Sequence, residues 1–435
     1  MIQILQFLGA LSLMVILHEL GHFLAARAFG VRVEKFYLFF NPGFTLFKFT
    51  SKRSGTEYGV GWLPLGGYVK LSGMIDESLD TEQLKTAPQP WEFRSKPAWQ
   101  RLIIMAGGVF MNFLTAVVAY AMLLFVYGHE YVALSDAKYG MAFSEVAQQH
   151  GFKDGDKLLM ADGEQLVSLD MDQMRRLFDA KEVTVLRNGD SVNIPIDESL
   201  KLDLVASQKG FASYRFPFVV EQVGKMTPAE LAGLQAGDSV VAMNGVAVPT
   251  HQDANVILKA NKLQPVVIDY YRNGTLCTTT ATTDSAGLLG VYLTPYYKLL
   301  PVTKIEYGFF ESFPQGLAEG ARMFTGYADD MKIIFTAEGA SSIGGFGSLA
   351  GLFPNAFSAQ YFWTVVAYLS VVLAFMNLLP IPGLDGGHIL FLLIECIRRK
   401  PLSQQFMVKA QIIGMILLFA LLFYANGMDL VRWLK

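Results

Sequence analysis

Apolar residues gather into four runs, at 5–26, 102–127, 362–379 and, shorter but with apolar flanks, 412–424. A helix needs about 20 such residues to cross roughly 30 Å of hydrocarbon, so the pattern predicts four membrane-spanning helices. The first run has no basic segment ahead of it and carries ionisable residues where a cleavage site would fall, which predicts a retained helix and not a removed signal peptide. Between the first two runs the period changes. VEKFYLFF, FTLFKFTS, TEYGVGWL and GGYVKLSG are rich in aromatic and β-branched residues, with NPG at 41–43 and KRSG at 52–55 as turns, so strands are expected; GWLPLGGYV at 61–69 adds an apolar hairpin. Residues 75–90, polar and acidic with Pro88 and Pro90, read as a loop, and 91–101 mixes tryptophans with basic residues as at a membrane interface.

The segment after the second run contains a repeat. GFKDGDKLLMADG at 151–163 echoes GLQAGDSVVAMNG at 233–245, and RNG recurs at 187–189 and 272–274. Each copy supplies a helix-like stretch, a G-D turn, an apolar strand, an N-G or D-G turn and a later hairpin, which resembles a tandem pair of PDZ domains. Residues 309–337 place apolar positions at helical spacing among charges, predicting an amphipathic helix at a membrane surface, and the glycine-rich 343–353 links it to the third run.

The fold class expected is a polytopic α-helical membrane protein of four transmembrane helices, with a small β-sheet between the first two and two small α+β PDZ-like domains. The expected division is 1–26 for the first span, 27–100 for the sheet and loop, 101–127 for the second span, and 128–205 and 206–295 for the repeats. A surface helix and linker at 296–358 follow, then the third span at 359–382, a loop at 383–407, the last span at 408–428 and a tail at 429–435. Composition agrees: 52% of residues are hydrophobic and 17% charged, fewer charges than a soluble domain carries. Eleven basic residues between the first two runs, and Arg398, Arg399 and Lys400 after the third, put those loops in the cytoplasm and both termini outside. Cys277 and Cys396 then lie on opposite sides, so no disulfide framework is expected. A net charge of −3 gives no case for a nucleic-acid partner.

The first run reads VILHELGHFL. His18 and His22 stand one helical turn apart with Glu19 beside them, the spacing with which a helix presents two imidazoles to zinc and a carboxylate to a water. Counted from residue 5 at 1.5 Å per residue, His18 lies about 20 Å along the helix, past the midplane towards the cytoplasm. Three ionisable groups at that depth are costly unless a cation or a wet cavity compensates them. Catalytic zinc takes three protein ligands and leaves a fourth position open, so another ligand is needed. The best candidate is NLLPIPGLDGGHIL at 377–390, where prolines end a helix and glycines turn the chain around Asp385; a capping aspartate in a plain turn is the alternative there. Zinc would acidify a water, and Glu19 would take its proton and pass it to the leaving amine. A helical substrate would have to unwind first, and the open edge of the predicted sheet could hold it extended.

HELGH in a first span and N-x-x-P-x-P-x-L-D-G-G in a later one resemble the site-2 protease family of intramembrane zinc metalloproteases, and within it the bacterial RseP-type branch, over nearly the whole length. The resemblance implies zinc held by His18, His22 and Asp385, with Glu19 catalytic. It implies substrate contacts at Asn377 and Pro382, at Asn112 in the second span, and at Gly66, Gly67 and Tyr68 of a hairpin that dips into the membrane. His388 is left outside the ligand set with an outer-sphere role open. Relatives carry Gly-Pro near Gly107-Gly108, and this departure leaves Asn112 between a substrate role and simple packing between helices. The expected substrates are single-pass membrane proteins already trimmed by a site-1 protease, such as anti-sigma factors, and remnant signal peptides. The PDZ-like pair would either bind a freshly exposed C-terminus or exclude substrates with bulky outer domains. A PDZ scaffold with a structural metal is the rival reading, against which Glu19 stands, since a structural zinc needs no adjacent base. A metal transporter would need more polar residues in the spans than these runs offer.

Overall fold

The computed structural model describes residues 2–74, 87–207, 209–334, 336 and 343–434, so most of the loop expected at 75–90 lies outside the described residues. The chain divides into two compact units, one of residues 1–128 and 306–435 and the other of residues 129–305.

The first unit contains helices α1 (Ile2–Ala28), α2 (Ala98–Tyr127), α3 (Phe309–Ile334), α4 (Phe346–Gly351), α5 (Ala359–Leu378), α6 (Asp385–Arg398) and α7 (Gln404–Leu434). Among the described residues, four helices, α1, α2, α5 and α7, are long and apolar enough to cross a membrane. The last is longer than its apolar centre at 412–424 suggested, because helical geometry continues through the polar flanks to Asp429 and Arg432. There Asp429 accepts hydrogen bonds from the backbone of Gly345 (3.0 Å) and Ser348 (2.9 Å), and Arg432 donates to the Ile343 carbonyl (2.7 Å), tying α7 to the start of α4.

Glycines set how closely α1 and α2 approach. A methyl group added at Gly21 would lie 2.1 Å from the Gly107 carbonyl oxygen, and one at Gly107 would lie 2.6 Å from that of Gly21. The two backbones therefore touch directly, a contact that only small residues permit. Between these helices, β1 (Val33–Thr50) and β2 (Glu57–Leu71) fold into a small sheet. Lys35 to Leu38 pair on one side with Lys70 to Gly67 and on the other with Glu57 to Val60. The run 67–71 has no second strand partner among the described residues, so it forms an edge.

In the second unit the repeat is visible as repeated wiring. Arg187 donates to both carboxylate oxygens of Asp156 (2.8 and 2.6 Å) and to the Gly151 carbonyl (2.8 Å). Arg272 does the same to Asp238 (2.8 and 2.7 Å) and to the Gly233 carbonyl (2.8 Å). Each arginine thus fastens the hairpin of the R-N-G turn to the G-D turn, through a bidentate pair with a buried carboxylate. The second copy orders its strands Thr275–Thr282, Pro265–Arg272, Ser239–Met243, Phe218–Val223 and Val291–Leu293, the last at the edge. In the first copy, Ala212–Tyr214 pairs with Met141–Phe143, and Phe211 and Tyr214 belong to its core. The boundary expected at 205/206 therefore moves to the stretch after Tyr214. Strands His129–Val132 and Val302–Ile305 pair with each other, so the unit starts and ends on neighbouring strands.

Candidate active site

His18 and His22 lie on one face of α1, and Asp385 is the first residue of α6, where the helix dipole favours an anion. The two glycines after Asp385 are required by crowding. A methyl group at Gly386 would lie 2.1 Å from the Leu379 carbonyl oxygen, and one at Gly387 would lie 2.6 Å from that of Ile381. The incoming chain therefore lies against the first turn of α6, which is how an aspartate from a broken helix reaches a histidine pair 363 residues away. On the far side of this turn, Gly414 of α7 makes room for the Pro382 carbonyl.

The three side chains converge on one point. His18 Nε2 and His22 Nε2 are 3.3 Å apart, and Asp385 Oδ2 is 3.1 Å from the first and 3.2 Å from the second. A tetrahedral zinc about 2.0–2.1 Å from its ligands separates them by roughly 3.3–3.4 Å, so the triangle fits. The chemistry of the donors fits too. His22 Nδ1 is 2.8 Å from the Ile104 carbonyl, which can only accept, so Nδ1 carries the proton and a neutral His22 turns its Nε2 lone pair towards the carboxylate. Such a convergence of lone pairs is repulsive unless a proton or a cation sits within it. His18, His22 and Asp385 form the one His/Cys/Asp/Glu cluster among the described residues able to hold a metal in this way.

Glu19 lies beside the cluster, next to the run 67–71 at the open edge of β2. Gly67 allows this approach: a methyl group there would lie 2.7 Å from Val15 Cγ1 and from the Tyr37 carbonyl, and 3.6 Å from Glu19 Cγ. Tyr68 stacks on Tyr37 (5.2 Å) and Phe40 (6.2 Å) and donates to Asn41 Oδ1 (3.1 Å). Gly66, at φ +150°, lies under the Phe40 ring. Asn112 is 1% exposed and its Nδ2 lies 3.1 Å from His18 Nδ1. Asn377, in the last turn of α5, and Pro382, whose backbone bridges to Leu384, are half-buried and make no hydrogen bond to the three converging side chains. His388 borders a cavity that continues to the Arg101–Glu395 ion pair and Gln411.

Two contributors escaped the sequence reading. One is the Ile104 carbonyl, a backbone atom with no sequence signal. The other is Gly108, where a methyl group would lie 2.4 Å from His22 Nε2 and 2.7 Å from His18 Nε2; its place beside Gly107 was the available signal.

Three converging side chains able to hold a metal, with a carboxylate beside them and helices long enough and apolar enough to cross a membrane around them, fit a metal-dependent protease of the membrane. The sequence comparisons specify which kind: residues 6–421 match the model of peptidase family M50, and the chain belongs to that family of zinc-dependent site-2 proteases. It is 31% identical to the protease RseP of Yersinia pestis and 28% identical to the regulator of sigma E protease of Haemophilus influenzae, in each case over 98% of both chains. The regulator of sigma-E protease RseP of Salmonella typhimurium is 30% identical, again over 98% of both chains.

Proposed function

We propose that His18, His22 and Asp385 hold the zinc ion of this metalloprotease and that Glu19 is its general acid and base. The convergence of the three donor atoms within 3.1–3.3 Å, from two distant parts of the chain, carries the reading. Zinc bound there supplies Lewis acidity, polarising a peptide carbonyl and lowering the pKa of a water. Glu19 takes the proton of the attacking water and returns it to the departing amine. The edge at 67–71 pairs with the substrate backbone, keeping it unwound beside Glu19. Asn377 and Pro382 flank the substrate on the α5–α6 side, Tyr68 packs under the hairpin, and Gly66 and Gly67 keep its edge open.

The substrates are single-pass membrane proteins already cut by another protease, of the anti-sigma-factor or remnant-signal-peptide type, in line with the sigma-E regulators it resembles. The site lies towards the cytoplasmic side of an inner membrane, with the termini and residues 129–305 outward, as the basic loops imply. The two repeats are PDZ-like domains that screen out substrates still carrying bulky outer domains. The test is cleavage of a trimmed single-pass peptide by purified full-length protein in detergent. Wild type should cut; Glu19→Gln and chelator-treated protein should not. Cleavage by Glu19→Gln at the wild-type rate would refute the role of Glu19.

A further inference from the structure

We infer that Asn112 is a positioning residue for the metal ligand His18: its amide oxygen accepts the Nδ1–H of that imidazole and fixes which nitrogen faces the metal. The inference rests on the zinc reading above. Both imidazoles are contacted from behind by α2, His22 Nδ1 by the Ile104 carbonyl at 2.8 Å and His18 Nδ1 by the Asn112 amide at 3.1 Å. A histidine that binds metal through Nε2 carries its proton on Nδ1 and gives it to an acceptor. For His22 the acceptor is a fixed carbonyl. For His18 the amide nitrogen lies nearest, and a nitrogen that donates would force the proton onto Nε2, the atom aimed at Asp385 and His22. A half-turn of the amide exchanges its nitrogen and oxygen at the same place and leaves Nε2 free. Asn112 is 1% exposed, so its amide is committed to this contact rather than offered to a passing peptide.

Oxygen alone is needed, which separates this role from a substrate clamp or from packing. Asn112→Asp keeps the acceptor and loses the donor; Asn112→Leu keeps the bulk and loses both. Zinc affinity is measured on the full-length protein in detergent by competition with a chromophoric chelator, alongside the absorption of the cobalt-substituted protein and peptide affinity at saturating zinc. Asn112→Leu should bind zinc about 10- to 100-fold more weakly, with a shifted cobalt spectrum and peptide affinity unchanged. Asn112→Asp should restore zinc affinity to within a few-fold. Equal zinc affinity in Asn112→Leu and wild type overturns the inference, as does an Asn112→Asp protein as weak as Asn112→Leu. If Asn112→Leu fails to fold, Asn112→Asp alone decides, since wild-type zinc affinity is required of it. Wild type that binds no zinc would instead remove the zinc reading itself.

Discussion

At the scale of single residues, the proposed ligand triangle depends on atoms that are missing as much as on those present. Gly108 leaves the space into which both histidine Nε2 atoms project. Gly108→Ala should therefore reduce zinc affinity by more than the roughly 10- to 100-fold typical of losing an outer partner. Gly9→Ala, in the same pair of helices but with open space around it, should leave affinity intact; chelator competition reads both. A residue outside the membrane gives a pH prediction. Burial holds the His251 imidazole below its ordinary value, so the unfolded state takes up the proton first. The stability of the segment around His251 should be full above about pH 6.5 and fall as the pH drops below it. Hydrogen exchange of residues 251–260, corrected for intrinsic rates, should speed up between pH 7.5 and 5.5 in wild type and less in His251→Gln. The histidines and Glu19 were legible in the sequence because they share two turns of one helix, and Asp385 because prolines and glycines mark its turn. The Ile104 carbonyl and the tight fit at Gly108 were not, because they arise only where α1 crosses α2.

Among elements, the edge of β2 and the repeated arginine clamps carry the argument. Gly67→Val would push that edge away from Val15 and Glu19. It should cut kcat by at least about tenfold with zinc affinity unchanged, the signature of misplaced substrate and base. In the second repeat, Arg272→Ala leaves the buried Asp238 without its bidentate partner. The melting temperature of the 129–305 unit should fall by several degrees, and Arg272→Lys should recover only part of the loss, because an ammonium cannot span both oxygens and the Gly233 carbonyl. The apolar runs announced the spanning helices, since length and hydropathy suffice to define them. The boundary after Tyr214 was hidden because the strand at 212–214 has three residues and pairs with one about 70 positions earlier.

For the whole molecule, residues 129–305 enter and leave on paired strands, His129 opposite Ile305. A short linker can therefore replace the unit without stretching α2 or α3. The deleted protein should cut an untrimmed substrate that wild type spares; continued refusal would remove the screening role proposed for the repeats. The proposed function centres on an Asp385-completed zinc site that works inside the membrane with Glu19 as its base. Mass spectrometry of the products from a trimmed single-pass substrate tests this most directly. The expected outcome is a cut within or at the border of the apolar span, present in wild type and absent in Glu19→Gln and Asp385→Ala. A cut well outside the span, or one that survives both substitutions, would contradict it.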